Sequence, residues 1–418
     1  MKVLVSAYAC EPGQGSEAGV GWNWVRQMSR FHELWVVTRA KNRASIEQQL
    51  PKAHLLNVHW CYLDVPSWLR LWRKQPHGYL YYYMWQLRAY GLARRLLRQV
   101  SFDLVHHVTL VNYWTPSFLS LLPVPFLWGP VGGGESGPLA FWWSFSLRGK
   151  CYEVFRHLAR RLGESNPFVR LTARRAALGL ATTRETETRL RRLGCRTTSV
   201  ISQVALDAEE IARLGTLRDG ASDVFRVFSI GDLLHLKGFH LGLHAFSRLH
   251  SRAPQSEYWI IGDGPERARL ERLAGQLGIS RSVRFLGAIP RTRVLDNLAR
   301  CDVLLHPALH ESGGWVTLEA MAAGRPVICF DVGGPATQIT HESGVKIHAV
   351  SPRQGVAQLA EALERLAMDP DKRFQMGEAG RRRIGEHFSW DKKGSLMAGI
   401  YSGLAESHFQ RAPQAVVA

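Results

Sequence analysis

The sequence predicts an α/β protein made of two doubly wound domains, each a parallel sheet covered by helices. Three observations carry that expectation. Short continuous runs of Val, Ile and Leu alternate with amphipathic stretches, and the alternation occurs twice along the chain. Unbroken apolar runs are what strands buried on both faces of a parallel sheet require. The chain has 418 residues, more than a single hydrophobic core normally serves. Finally, Asp219-Gly-Ala-Ser-Asp223 is a turn-rich break followed by a fresh apolar run. Together these imply two Rossmann-like domains with a cleft between them.

In the first half, strands are expected at 2–7, 34–38, 55–62, 104–108 and 125–127, with helices at 19–31 and 90–100. In the second half, strands are expected at 226–230, 257–261, 283–286, 303–306 and 327–330. Helices at 238–251, 266–275, 291–299 and 317–323 separate them, and further helices are expected at 374–386 and 392–406 before a frayed tail. The domains are placed at 1–205 and 206–389, with a last helix of about 390–410. No solenoid-type repeat is visible.

Composition is that of a globular protein, at 46% hydrophobic and 21% charged. No apolar run approaches the roughly 18 residues of a spanning helix, and residues 118–131 are broken by Pro123, Pro125 and Pro130. The start of the chain reads as a buried strand rather than a signal peptide, so a cytoplasmic location is expected. The six cysteines contain no Cys-x-x-Cys pair and are expected to stay reduced, with Cys301 and Cys329 in the core.

The net charge of +18 implies an anionic partner. Between Pro66 and Val100 there are seven Lys or Arg and no Asp or Glu. Trp68, Trp72, Tyr79, Tyr81, Tyr82, Tyr83, Trp85 and Tyr90 are interleaved with them. A second basic segment, 148–196, follows the apolar patch Leu139-Ala-Phe-Trp-Trp-Ser-Phe145. Mixed aromatics and cations suit a bilayer interface, so peripheral attachment to an anionic inner membrane face is expected. The competing reading is amphipathic helices with aromatics in the core. No nucleic-acid-binding module is visible, and nucleic acid is not expected as a partner.

The most informative stretch is His306-Pro-Ala-Leu-His-Glu311-Ser-Gly-Gly-Trp-Val-Thr-Leu-Glu319. An apolar run leads in, Gly313 and Gly314 break it, and helix formers follow: a strand, a glycine turn and a helix start. Backbone N–H groups at such a turn, with the helix dipole behind them, form an anion site. Glu319, one turn into the helix, can reach ribose hydroxyls, while Glu311 can face whatever is attached to the anion. A diphosphate between a ribose and a second sugar is a nucleotide sugar.

The whole phrase, continuing through Gly324-Arg-Pro-Val-Ile and Asp331-Val-Gly-Gly-Pro335, resembles the Glu-x7-Glu signature of retaining GT-B glycosyltransferases, family four. The resemblance covers nearly the whole chain, most strongly 225–335. It implies that Gly313, Gly314, Trp315 and Glu319 bind the donor, and that Gly262, Gly264 and Pro265 form a glycine turn near the nucleotide. The segment Phe285-Leu286-Gly-Ala-Ile289-Pro290 is implied to read the base, and Lys237 to neutralise the diphosphate. Glu311 is implied to contact the donor sugar or stabilise an oxocarbenium-like transition state. The last helix is implied to cross back to the first domain.

In the first half, Gly13-Gln-Gly15-Ser16-Glu-Ala-Gly-Val-Gly21 resembles the loop facing the donor. His106 and His107 end a strand where the family has His-x-His; being adjacent they point to opposite faces, so only one can serve catalysis. Trp128-Gly-Pro-Val-Gly-Gly-Gly-Glu135 is a glycine loop that could contact acceptor or sugar. Two departures stand out: Asp232 replaces a customary arginine, and Val200-Ile-Ser-Gln-Val-Ala-Leu-Asp207 replaces a Pro-Asn-Gly linker.

The resemblance implies a retaining, metal-independent transfer of a sugar from a nucleotide-diphosphate-sugar to a lipid-linked or surface-polysaccharide hydroxyl, as in exopolysaccharide or lipopolysaccharide assembly. The nucleotide sugar is a substrate, and neither cofactor nor metal is expected. A nucleotide-sugar-binding pseudo-enzyme and a GT-B nucleotide-sugar epimerase are the alternatives.

Overall fold

The structure, a computed structural model, describes residues 1–66, 79–110, 112–217, 224–348 and 350–411. Trp68, Arg70, Trp72 and Arg73 of the basic aromatic stretch lie outside the described residues, as do the break at 219–223 and the tail beyond 411. The chain divides into two compact units. One comprises Met1–Gly134, Leu158–Gln203 and Trp390–Ala418, the other Glu135–His157 and Val204–Ser389.

The first unit holds β1 (Lys2–Ala7), β2 (Glu33–Arg39), β3 (Val58–Leu63), β4 (Leu104–Thr109), β5 (Phe126–Val131), β6 (Leu178–Ala181) and β7 (Thr198–Val200). They form one sheet in the order β3-β2-β1-β4-β5-β6-β7, every pair parallel. The second unit holds β8 (Phe225–Ile230), β9 (Ser256–Ile261), β10 (Val283–Gly287), β11 (Val303–His306), β12 (Val327–Phe330) and β13 (Gly344–Ile347). Their order is β10-β9-β8-β11-β12-β13, again all parallel. Both sheets reverse direction beside their first strand, the doubly wound arrangement in which ligands bind beyond the carboxyl ends of the strands.

All the expected strands are present. β6, β7 and β13 escaped the sequence reading because Leu-Gly-Leu-Ala, Thr-Ser-Val and Gly-Val-Lys-Ile are short and poor in consecutive branched residues. The expected helix at 90–100 is instead Tyr79–Leu96. Its Tyr81, Tyr82, Trp85, Ala89 and Ala93 are buried, one face at helical spacing. Tyr81 donates to Asp64 at 2.5 Å and the Trp85 indole to the Leu63 carbonyl at 3.2 Å. These three aromatics are therefore core residues, correcting the expectation that they face a bilayer.

The segment 135–157, read from sequence as part of the first domain, packs in the second. Phe141 and Phe145, four residues apart, enter the core of that unit, with Phe141 edge-on to Phe330 at 5.6 Å. Leu139, Trp143 and Leu147 alternate with them on the outside and are 68%, 84% and 80% exposed.

The last helix, Trp390–Arg411, belongs to the first unit. Trp390 packs edge-on to Trp24 at 5.6 Å, and the buried Lys393 ammonium donates to the Ser202 carbonyl. Cys301 and Cys329 are buried, and all six cysteines are free thiols. No helix among the described residues is long and apolar enough to cross a membrane.

Candidate functional site

In the second unit, β8 and β11 are neighbours whose following helices run to opposite sides, so the switch point lies between their carboxyl ends. Ser229 ties the two strands, donating to the Leu305 carbonyl at 2.5 Å. Beyond β8 the chain passes Gly231 and turns through His235–Lys237. Gly238 has φ +67°, and a Cβ there would lie 2.0 Å from the Pro307 carbonyl oxygen. That contact brings the segment after β8 against the segment after β11.

It places Lys237 on Glu311. The ammonium donates to one carboxylate oxygen, and the Gly314 N–H donates to the other at 3.2 Å. Burial alone would push the Glu311 carboxyl up, but the Lys237 ammonium, His306 and these hydrogen bonds hold it down at about 2. His306, its Nε2 4.0 Å from Glu311, is pushed down to about 4 by burial and by Lys237. At neutral pH Glu311 is thus ionised and His306 neutral.

Gly314 precedes the helix Trp315–Ala322 with φ +67°, and a Cβ would meet Gln338 at 3.0 Å and Pro335 at 3.1 Å. Gln338 also donates to the Gly313 carbonyl at 2.5 Å, so the turn is held from a second element. Trp315 is half-buried, with the Arg291 guanidinium 5.8 Å from its ring centre. Glu319 is buried and accepts from Arg291 at 2.5 Å, and the same guanidinium also pairs with Glu210. Burial raises the Glu210 carboxyl even with that cation beside it.

The glycine turn after β9 is tightly constrained. Gly262 donates to the Gly287 carbonyl at 2.9 Å, has φ +136°, and a Cβ there would sit 2.0 Å from the Gly231 oxygen. Gly264, φ +158°, would place a Cβ 2.8 Å from the Leu233 oxygen. Pro265 is exposed, whereas Leu286 and Ile289 are half-buried. Replacing Gly262 by Ala is expected to lower stability by about 2 kcal/mol or more, read as a fall in the urea midpoint. Asp232, on the other hand, presents an exposed carboxylate beside this turn.

Two further groups were missed in the sequence. Glu135 was seen only as the end of a glycine loop; it is fully buried and accepts from Ser312 at 2.8 Å. Behind it, Arg156 donates to Glu153 at 2.8 and 3.1 Å, to the Glu135 carbonyl at 3.2 Å and towards His310 at 3.3 Å. Burial opposes ionisation of Glu153, but His235 and Arg156 bring its carboxyl down to about 2. No spacing rule links 135, 153, 235 and 310, so only folding reveals this network. Arg291 carried a weak signal, since it follows the Ile289-Pro290 turn at a strand end.

The remaining candidates belong to the first unit. Gly15 is exposed and immediately precedes the helix Ser16–Met28, beyond β1. His106 and His107, both on β4, are both buried. His106 Nε2 lies 2.5 Å from the Gly129 carbonyl and Nδ1 2.5 Å from the Tyr401 hydroxyl. A carbonyl only accepts, so Nε2 carries the proton and Nδ1 accepts from Tyr401. Both His106 nitrogens are thereby engaged within the unit. His107 Nε2 lies 3.3 Å from the Leu110 carbonyl, and its Nδ1 has no hydrogen-bond partner among the described residues. Burial pushes His106 to about 3 and His107 to about 4.

The glycosyl transferases group 1 family profile matches residues 220–383, the stretch that holds the Lys237–Glu311 pair and Glu319. The D-inositol 3-phosphate glycosyltransferase of Corynebacterium urealyticum is 33% identical over 183 residues, covering 42% of each chain. The lipopolysaccharide core biosynthesis glycosyltransferase LpsE of Rhizobium meliloti is 34% identical over 172 residues, 41% of this chain and 48% of its own. The matches thus span less than half of either relative's length. Among solved structures, Anabaena HepE in complex with UDP superposes with a TM-score of 0.63 at 19% identity, covering 96% of this chain and all of that one. WaaG, a glycosyltransferase involved in lipopolysaccharide biosynthesis, gives 0.58 at 19% identity over the same shares. Residues 220–383 are therefore a glycosyl transferases group 1 domain, carried in a chain with the GT-B fold.

Proposed function

We propose that the chain is a retaining, metal-independent glycosyltransferase that moves a sugar from a nucleotide-diphosphate-sugar to a hydroxyl of a lipid-linked or surface-polysaccharide acceptor. The observation that carries the reading is the Lys237–Glu311 pair set against the N–H of Gly314 at the switch point of the second sheet. In this reading the diphosphate lies at the amino end of the helix Trp315–Ala322. The helix dipole and the Lys237 ammonium stabilise the charge that develops as the bond from the anomeric carbon to the diphosphate oxygen breaks. Glu311, ionised at neutral pH, accepts hydrogen bonds from the sugar hydroxyls, and Glu319 takes those of the ribose, exchanging part of its pairing with Arg291. The acceptor oxygen bonds to the anomeric carbon on the face the diphosphate leaves, and gives up its proton to the departing diphosphate oxygen.

Calorimetric titration with UDP, GDP and ADP, without metal, on wild type and Glu319→Ala tests the donor site. One nucleotide should bind saturably. Loss of the charge-assisted hydrogen bonds, about 1.5–3 kcal/mol, should weaken it by about 10- to 100-fold in the variant. UDP is the first choice because HepE was crystallised with it. Absence of binding by all three defeats the reading and points to a disabled donor site, for which the exposed Asp232 carboxylate is the specific reason.

The acceptor side rests on the exposed apolar residues of 139–162. Besides Leu139, Trp143 and Leu147, the helix Leu147–Ser165 exposes Val154, Phe155, Leu158 and Leu162, one stripe at helical spacing. Lys150 lies 5.3 Å from the Trp143 ring centre, the aromatic–cation pairing suited to an anionic bilayer surface. This stripe replaces Tyr81, Tyr82 and Trp85 as the docking surface of a peripheral protein on the inner membrane face. Trp143→Ser with Leu147→Ser should cut binding to phosphatidylglycerol vesicles about 10-fold or more, given about 1.5–3 kcal/mol per buried side chain. Unchanged co-sedimentation would remove the docking proposal and leave the donor reading standing.

A further inference from the structure

The second unit contains a cavity of about 580 Å³ that shares no lining residue with the donor motif. Three elements and a turn build it. The helix Phe239–Arg252 contributes His240, His244 and Arg248, four residues apart and so on one face. The helix Arg267–Gln276 contributes Arg269, Arg272 and Gln276, three and four residues apart and so also on one face. The amino end of the long helix Pro352–Met368 contributes Arg353, and Ser144 closes the side.

Every ionisable side chain that lines the cavity is basic, and none is a carboxylate. Arg269 is the one arginine of the four paired with an acid among the described residues, to Glu266 at 2.7 Å, and it also donates to the Ser144 carbonyl at 2.8 Å. Arg248, Arg272 and Arg353 form no ion pair there. His240 is buried, with Nε2 3.0 Å from the Ser144 hydroxyl, and burial and the neighbouring Arg269 keep its imidazole neutral. Four arginines lining one hollow with no carboxylate in the lining, and a helix amino end beside them, make a positive potential that an anion relieves. The planar guanidinium fork is shaped to grip phosphate oxygens.

We propose that this cavity is a second binding site, distinct from the donor site, for a ligand bearing one or more phosphate groups, with Arg248, Arg272 and Arg353 as its principal contacts. Phosphate of that kind occurs both on small soluble esters and on lipid headgroups, and the test separates them.

The experiment is hydrogen–deuterium exchange of the full chain with inorganic pyrophosphate, and separately with phosphatidylglycerol vesicles, each with and without saturating UDP. Protection of 239–252, 267–276 and 352–356 by pyrophosphate, persisting when UDP is present, is the expected result and identifies a soluble phosphate ester. Protection of the same segments by vesicles alone identifies a lipid headgroup, and vesicle protection confined to 139–162 reports the separate docking stripe. In the triple variant Arg248→Ala, Arg272→Ala, Arg353→Ala the protection should vanish and the pyrophosphate affinity of these segments fall at least 10-fold. Its melting temperature and its response to UDP should match wild type, because these arginines are exposed and make no ion pair among the described residues. Protection limited to 306–322, or unchanged in the triple variant, overturns the proposal without touching the donor reading.

Discussion

Lowering the pH from 7.5 to 5.5 is expected to destabilise the first domain by about 3 kcal/mol and the second by about 2 kcal/mol. Five histidines are held neutral by burial: His32, His107 and His306 at about 4, and His106 and His240 at about 3. The sign follows from linkage. In the unfolded chain these imidazoles take up a proton near pH 6.5, while in the fold they do so only well below it. Between those values the unfolded state binds more protons, so stability falls as pH falls. Each histidine contributes roughly 1 kcal/mol of loss by pH 5.5, on a total stability of about 5–15 kcal/mol. His32, His106 and His107 lie in the first unit, His240 and His306 in the second, so neither domain escapes. Glu153 and Glu311, held at about 2, add their loss only below about pH 4.5. Urea midpoints at pH 7.5, 6.5 and 5.5 check this, and His106→Gln should flatten the slope by about one proton. A midpoint independent of pH over that range would mean that the buried imidazoles are hydrated or paired with acids.

Replacing Lys237 by Ala is expected to damage stability and turnover together. It leaves the largely buried Glu311 carboxylate without its cation, a change that costs about 3–5 kcal/mol when one partner of a buried pair is removed. Burial is then opposed only by His306 and the Gly314 N–H, so the carboxyl rises from its wild-type value. The variant's deficit relative to wild type should therefore shrink on acidification, since the variant's glutamate takes its proton first. If the ammonium also stabilises the departing diphosphate, turnover falls by about 100- to 1,000-fold. The double variant Lys237→Ala, Glu311→Gln separates the two effects. With both charges gone, most of the stability should return, while activity stays low. Recovery of activity along with stability would reduce Lys237 to a structural partner of Glu311.

The core of each sheet was readable because a parallel strand buried on both faces needs consecutive branched apolar residues, and Lys2-Val-Leu-Val-Ser-Ala7 and Glu257-Tyr-Trp-Ile-Ile261 state that directly. The edge strand β13 and the short β6 and β7 carry no such run, since an edge or a brief pairing asks less of its side chains. The glycine turn at Gly313-Gly314 was legible for a similar reason: a left-handed residue ahead of a helix former leaves few alternatives. The partners of the two glutamates were not. Glu311 finds Lys237 across 74 residues and Glu319 finds Arg291 across 28, and no periodicity joins such positions.

By itself the sequence determined two parallel α/β domains and a glycine turn flanked by Glu311 and Glu319, because strand burial and turn geometry are local demands met by local residues. Tertiary structure alone decided that 135–157 packs into the second unit. Phe141 and Phe145 are spaced to enter a core, but only folding selects which one. It likewise placed Tyr81, Tyr82 and Trp85 inside, and left Trp143, Arg248, Arg272 and Arg353 outside, because a side chain's partner depends on what the rest of the chain brings to it.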